Sequence, residues 1–375
     1  MGMLDTLFRR RSERWQPGQS VLTARLLDAM TLPGCPLCRV AGIATGHHLE
    51  TLLDERLTLP EAHRRLLSSR GFCTAHTWSL PTAALAAQSA RGVALLYVPL
   101  LNDLLHHWLD PASRHRWFAP ERPCPVCQIL DRTEPAYRAE LLILLCGGSA
   151  TPLLCGPHLR ALAPHATAAI QARLVAAVAR GREAATPAER LALLVGARPA
   201  HLFNAAPDCP ACAAGARAAR AIGPAPGLCR DHAWAAFATA GAALLGALAE
   251  EDTPTGCPAC RAAHAAAAEA LTGQQAAHHL CLAHLRDQPE TNAQTDEIAF
   301  WSLIQLQRDL VRFVDAGRAD FVGVLTAAEQ RSWLVALGRF GGEMPDAGVT
   351  PAGVPRGTRG RRWQRNATAD RYGVA

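Results

Sequence analysis

The chain has 375 residues, 49% of them hydrophobic but only 5% aromatic, and it carries 13 cysteines and a formal charge of +6. That length accommodates two ordinary domains with cores of their own, and an apolar fraction made largely of Ala and Leu favours helices over strands. The positive charge is a weak argument for a nucleic-acid surface, because four divalent ions would add eight charges and twelve thiolates would remove twelve, leaving +2.

All 38 basic side chains are Arg and none is Lys, which together with the Ala, Gly and Pro content looks like a high-GC bacterial genome and says little about function. The first segment, 1–20, is basic (Arg9, Arg10, Arg11, Arg14), and no apolar run of secretory-leader length follows it. Gly2 and Thr6 formally fit a myristoylation pattern that the bacterial composition argues against.

Segment 21–118 holds Cys35 and Cys38, predicted helices over 39–57 and 60–69, then Cys73 and His76. A helix over 81–109 follows, which Pro99 is expected to kink or divide. Segment 119–200 holds Cys124 and Cys127, a helix over 134–145, Cys155 and His158, and helices over 159–182 and 187–195. Segment 201–250 holds Cys209, Cys212, Cys229 and His232, with helices over 212–222 and 232–250. Segment 251–343 holds Cys257, Cys260, Cys281 and His284, with helices over 260–271, 296–316 and 326–339. The Arg-rich stretch 344–375 has no periodic apolar face and is expected to be disordered. No apolar run approaches the roughly 20 residues needed to cross a bilayer, so a soluble, cytoplasmic protein with no membrane partner is expected.

Twelve of the thirteen cysteines therefore fall into four copies of Cys-Pro-x-Cys followed by Cys-x-x-His. Read in chain order, each pair joins the next: Cys35, Cys38, Cys73 and His76; Cys124, Cys127, Cys155 and His158; Cys209, Cys212, Cys229 and His232; Cys257, Cys260, Cys281 and His284. The flanks add a higher order. Gly71-Phe72-Cys73-Thr74-Ala75-His76-Thr77-Trp78 matches Gly227-Leu228-Cys229-Arg230-Asp231-His232-Ala233-Trp234, and Leu154-Cys155-Gly156-Pro157-His158-Leu159-Arg160 matches Leu280-Cys281-Leu282-Ala283-His284-Leu285-Arg286. The pattern is A-B-A-B, a duplicated two-site block with its boundary near 196–207 and a more compact second copy.

A Cys-x-x-Cys turn brings two thiolates onto one ion, and Cys-x-x-His delivers a sulfur and a nitrogen from one turn. Four such ligands satisfy tetrahedral Zn(II) and leave no open position for water, which points to about four structural zinc ions per chain. Iron–sulfur ligation by three cysteines and one histidine is the alternative, because spacing alone does not separate the two metals. A redox turn like that of glutaredoxin-like proteins leaves every Cys-x-x-His unexplained and expects strands that the composition does not support. Cys146, among leucines, reads as a buried inert thiol. The adjacent histidines 47 and 48, 106 and 107, and 278 and 279 point apart on a helix and read as solvated or capping residues. Trp78 and Trp234, two residues beyond a ligand histidine, are expected to cover the sites.

With these residues in place, the chain resembles a bacterial domain-of-unknown-function family marked by Cys-Pro-x-Cys, Gly-Phe-Cys-x-x-His, a second Cys-Pro-x-Cys and Leu-Cys-x-x-His-Leu. Here these are 35–38, 71–76, 124–127 and 154–159 with their second-half counterparts, and the stretch from Leu306 to Trp333 is similar as well. The resemblance covers roughly 20–343 and departs from the pattern at Gly156-Pro157. It implies a soluble helical metal-binding protein and brings no activity with it. The sequence thus predicts an all-α protein with four Cys3His knuckles. No nucleophile–base pair, carboxylate pair or phosphate loop stands out, so a non-enzymatic scaffold with a protein partner is expected. Nucleic-acid binding through the Arg-rich ends is a further alternative.

Overall fold

In the computed structural model the described residues are 20–148, 151–184, 186–195, 209–223, 225, 228–229, 232–234, 236–237, 257–271, 280–286 and 293–342. Among them all regular structure is helical and there is no strand, as the composition predicts. The expected block boundary at 196–207, the histidines at 278 and 279, and the 344–375 segment lie outside the described residues, as does most of the helix expected over 232–250.

The first block contains α1 (Val21–Met30), α2 (Pro36–Asp54), α3 (Pro60–Ser68), α4 (Thr74–Thr77), α5 (Leu80–Ala86), α6 (Ala90–Trp108), α7 (Pro111–Trp117) and α8 (Pro125–Cys146). After α9 (Gly156–Leu162) come α10 (Ala168–Ala184) and α11 (Pro187–Val195). The second block contains α12 (Pro210–Ile222), α13 (Pro258–Leu271) and α14 (Leu282–Arg286), and the chain continues as α15 (Ala293–Asp315) and α16 (Ala327–Gly341).

Several boundaries differ from expectation, each for a local reason. Every Cys-Pro-x-Cys helix begins at its proline, earlier than the apolar periodicity predicts, because proline at the first helical position lacks only an N–H that would have had no partner. The helix expected over 81–109 is divided at Gln88, whose φ of 51° ends α5 with the Ser89 amide donating to the Ala84 carbonyl, and Pro99 lies inside α6. The helix expected over 159–182 is broken at Pro164, where one turn of 3-10 helix separates α9 from α10. Two helices lie outside those expected from the periodicity, α1 and α7, and Ser20 and Asp110 cap them by accepting hydrogen bonds from first-turn amides.

The topology rests on two antiparallel helix pairs. Leu37 and Val40 at the start of α2 pack in one apolar cluster with Tyr137, Leu141 and Leu145 from the far half of α8. Leu49, Leu52 and Leu53 at the end of α2 share the main cluster with Cys124 and Val126 at the start of α8. The second block repeats this. Ala211 at the start of α12 lies in the main cluster with Ala267 late in α13, while Ala219 late in α12 joins Ala259 early in α13. Small residues let α12 and α13 approach closely: a Cβ on Gly215 would stand 2.9 Å from the Ala263 carbonyl oxygen. Helices α6, α15 and α16 fill the main cluster, which joins one end of the first pair to one end of the second.

Candidate metal centres

Each of the eight leading cysteines accepts the first helical hydrogen bond through its carbonyl. The amides of Arg39, Thr77, Gln128, Leu159, Ala213, Ala233, Arg261 and Leu285 donate to the carbonyls of Cys35, Cys73, Cys124, Cys155, Cys209, Cys229, Cys257 and Cys281 at 2.8–3.2 Å. The leading cysteine therefore sits at the start of a helical turn, and the residue three positions on, Cys or His, lies in that turn. When two such turns meet, their amide-rich ends face a shared set of sulfurs. The positive ends of the peptide dipoles, worth up to about half a charge each on a full helix, favour the thiolate form there.

All sixteen sequence-predicted residues come together in four groups, each of three cysteines and one histidine whose ligand atoms lie within 4.8 Å of one another. The partners are not those of chain order. Cys35 and Cys38 meet Cys155 and His158, and Cys73 and His76 meet Cys124 and Cys127. In the second block Cys209 and Cys212 meet Cys281 and His284, and Cys229 and His232 meet Cys257 and Cys260. The pairing is nested: an outer site encloses an inner one, and each group draws from both segments on either side of 118/119 or 250/251. This corrects the consecutive pairing. Its cause is the antiparallel packing, which sets the chain leaving α8 beside the start of α2, and the chain after α3 beside the start of α8.

The four groups share one geometry. The second cysteine of Cys-Pro-x-Cys stands 3.6–3.8 Å from the cysteine of Cys-x-x-His, sulfur to sulfur. Each histidine turns Nδ1 to the sulfurs at 3.1–3.6 Å. A tetrahedron with metal–sulfur bonds of about 2.3 Å and a metal–nitrogen bond of about 2.0 Å has S···S edges of about 3.8 Å and S···N edges of about 3.5 Å. A disulfide would need sulfurs about 2.05 Å apart, and none of the thirteen cysteines is in a disulfide. Each group could hold one metal ion.

With Nδ1 turned inward, Nε2 faces out, and at His158 it meets Glu134 Oε1 at 3.5 Å. A carboxylate in that position holds the ring's tautomer and raises its basicity as a ligand. Glu134→Gln is expected to weaken metal binding at the Cys35 centre about tenfold while leaving the other three unchanged, as read by chelator competition. An unchanged affinity would show that Glu134 does not act through the ring.

Protonation follows from crowding. Hydrogen bonds from Cys155 and Cys38 hold the Cys35 thiol far below its ordinary value, and hydrogen bonding to Cys35 drives Cys155 far above it. Cys209 is lowered by its hydrogen bonds with Cys212 and Cys281, and Cys212 is raised by its bond with Cys209. Cys73 is lowered by its bond with Cys124, which is itself pushed up to about 12 by that bond and by burial. Burial opposes a charged His158, yet the Cys35 and Cys38 sulfurs carry it to about 10, and Cys209 and Cys281 carry His284 to about 10. Without an ion, protons hold these groups together, and an arriving ion has to displace them.

Cys146 is exposed rather than buried, because it ends α8 on the face opposite Leu141 and Leu145. Trp78 is buried with its indole N–H donating to the Gly342 carbonyl at 3.0 Å, and Trp234 is buried edge-to-face on Phe237. Burial lowers the pKa of His48. The structure also lines up Ser113, His107 and Asp103, with Ser113 Oγ 2.6 Å from His107 Nδ1 and Asp103 Oδ1 3.7 Å from Nε2. Asp103 is committed to Arg70 at 3.0 Å and to the Trp117 indole at 2.6 Å, and the Ala112 and Ser113 amides are taken by Asp110. With those amides occupied, this set pins α7 to α6 and offers no oxyanion site. No helix among the described residues is long and apolar enough to cross a membrane. Compared with protein-family models, curated proteins and solved structures, the chain gives no match.

Proposed function

We propose that the protein is a helical scaffold held by four structural zinc ions, one at each Cys3His group. The observation that carries this reading is the match between the ligand separations in all four groups and the edges of a zinc tetrahedron. Four protein ligands complete the coordination, so the ion contributes to folding, by on the order of 10 kcal/mol per site in the folding of zinc-finger peptides. Sulfurs converging on one point favour a single ion over an iron–sulfur cluster, which distributes its cysteines over several irons. Zinc at both ends of each antiparallel pair fixes the helices and leaves their outer faces for a protein partner. Among the described residues, Val322 and Val324, 89% and 88% exposed in the loop before α16, are the apolar positions most open to such a partner.

Elemental analysis of protein purified without added metal tests this, with about four zinc per chain and no visible colour expected. A brown protein would favour the iron–sulfur reading, and absence of any transition metal would end both. Proton release gives a second readout. Zinc must remove at least the protons of His158 and Cys155 at one centre and of His284 and Cys212 at another. The raised imidazoles stabilise the metal-free fold below about 6.5 and lose that contribution as pH rises through about 10. Zinc affinity at these centres should therefore climb with pH, by about a hundredfold per unit for two protons. Calorimetry in buffers of different ionisation enthalpy would measure the count, and a total below four protons for these two centres would contradict this ligand chemistry.

A further inference from the structure

The four centres differ in how far solvent reaches their sulfurs. In the Cys209 centre all three cysteines are buried, and in the Cys35 centre two of three are. Cys73 is the one exposed residue among the sixteen ligands. Its helix is a single four-residue turn, whereas Cys124 and Cys127, which complete that centre, open the 22-residue α8. Cys127 is partly exposed and its sulfur lies 3.7 Å from that of Cys73, while Cys124 is buried.

We infer that Cys73 is an oxidation site at which a peroxide-class oxidant ejects the metal and leaves a Cys73–Cys127 disulfide. The inference rests on the metal reading above. Thiolates, not thiols, attack peroxides, and a coordinating cysteine is already deprotonated. The Cys73 sulfur attacks one peroxide oxygen, the O–O bond breaks, and the departing hydroxide takes a proton to become water, leaving a sulfenic acid. The Cys127 sulfur then attacks the Cys73 sulfur, the S–O bond breaks, and the second hydroxide leaves as water with another proton. Two thiolates together lose two electrons, the peroxide gains them, and the ion leaves as a divalent cation because half its ligands are gone. The sulfurs need only rotate from 3.7 Å to bonding distance once the ion no longer separates them.

The accessible Cys127 makes Cys73 the reversible kind of redox cysteine, with a resolving partner beside it. The neighbouring residues define the consequence. Trp78 holds the Gly342 carbonyl, and a Cβ on Gly341 would meet the Thr77 side chain at 2.6 Å, so the turn carrying Cys73 and His76 seats the end of α16. Loss of this metal loosens that seat, and reduction with a dithiol in the presence of zinc restores it.

The experiment uses full-length, metal-loaded protein carrying C146S, which removes the exposed thiol outside the ligand sets. Hydrogen peroxide is added in small excess, zinc release is followed with a chromogenic chelator, and cysteines are mapped by differential alkylation and mass spectrometry. One zinc should leave first, at least about tenfold faster than the rest, with Cys73 and Cys127 joined and the Cys209 centre still reduced. First loss from another centre, simultaneous loss from all four, or a reduced Cys73 at the first release would overturn the inference while leaving the metal reading intact. Protein isolated without metal would instead sink the metal reading itself.

Discussion

Protein in which Cys35 and Cys155 are both replaced by alanine will retain three metal ions, whereas protein in which Cys35 and Cys73 are replaced will retain two. Cys35 and Cys155 serve one centre, and Cys35 and Cys73 serve two. Pairing in chain order demands the reverse, so the stoichiometries of the two double variants, read by native mass spectrometry, separate the topologies without an atomic structure. Losing an ion removes on the order of 10 kcal/mol of local stabilisation. The first variant should therefore loosen the packing of α1, the start of α2 and the end of α8, where Leu26, Leu37, Leu141 and Leu154 surround the Cys35 centre. The second should loosen both ends of the α2–α8 pair. Two ions on the first variant and three on the second would remove the nested arrangement.

The other large effect is expected at Arg339, a charged residue only 7% exposed near the end of α16. Its guanidinium donates to the Leu280 carbonyl and, at 3.1 Å, to Ser302 Oγ. Leu280 immediately precedes the ligand Cys281, and Ser302 lies on α15, so one side chain ties α16 to both a metal centre and its neighbouring helix. Arg339→Met keeps much of the volume but leaves the Leu280 carbonyl buried without this partner, and should cost about 3 kcal/mol, the scale of losing hydrogen bonds to a buried charge. The cost should appear as a lower urea midpoint in the zinc-loaded protein. Zinc should also leave the Cys209 centre sooner than the distant Cys35 centre. An unchanged midpoint would mean that the packing of Leu337 and Phe340, not this ionic anchor, holds the helix in place.

That α16 connects the two blocks also follows from its neighbours. Phe340 lies edge-on to Tyr97 at 5.0 Å and to Trp117 at 6.4 Å in the first block, and a Cβ on Gly342 would lie 3.6 Å from the Cys281 sulfur in the second. Gly342 has φ 67° and ψ −174°, a conformation essentially reserved for glycine. The centres at Cys73 and Cys209 therefore share one apolar cluster, whereas those at Cys35 and Cys229 stand at the far ends of their helix pairs.

The helical class, the sixteen residues that gather into groups and the duplication were legible in the linear chain. Each depends on short-range chemistry: Ala- and Leu-rich composition, the reach of one helical turn, and a motif spelled out four times. Capping residues such as Ser20 and Asp110, and the break at Pro164, were equally local and equally readable. What no spacing could reveal was which Cys-x-x-His completes which Cys-Pro-x-Cys. Loop closure separates the 117-residue outer connection from a consecutive one of 35 residues by only about 1 kcal/mol. That is far less than the burial of the leucines along α2 and α8 contributes. The antiparallel packing of those two helices, repeated by α12 and α13, decided the partners, because it alone sets the end of one helix beside the start of the other. The exposure of Cys73 was decided in the same way, since a cysteine's access to solvent depends on what the rest of the fold stacks over it.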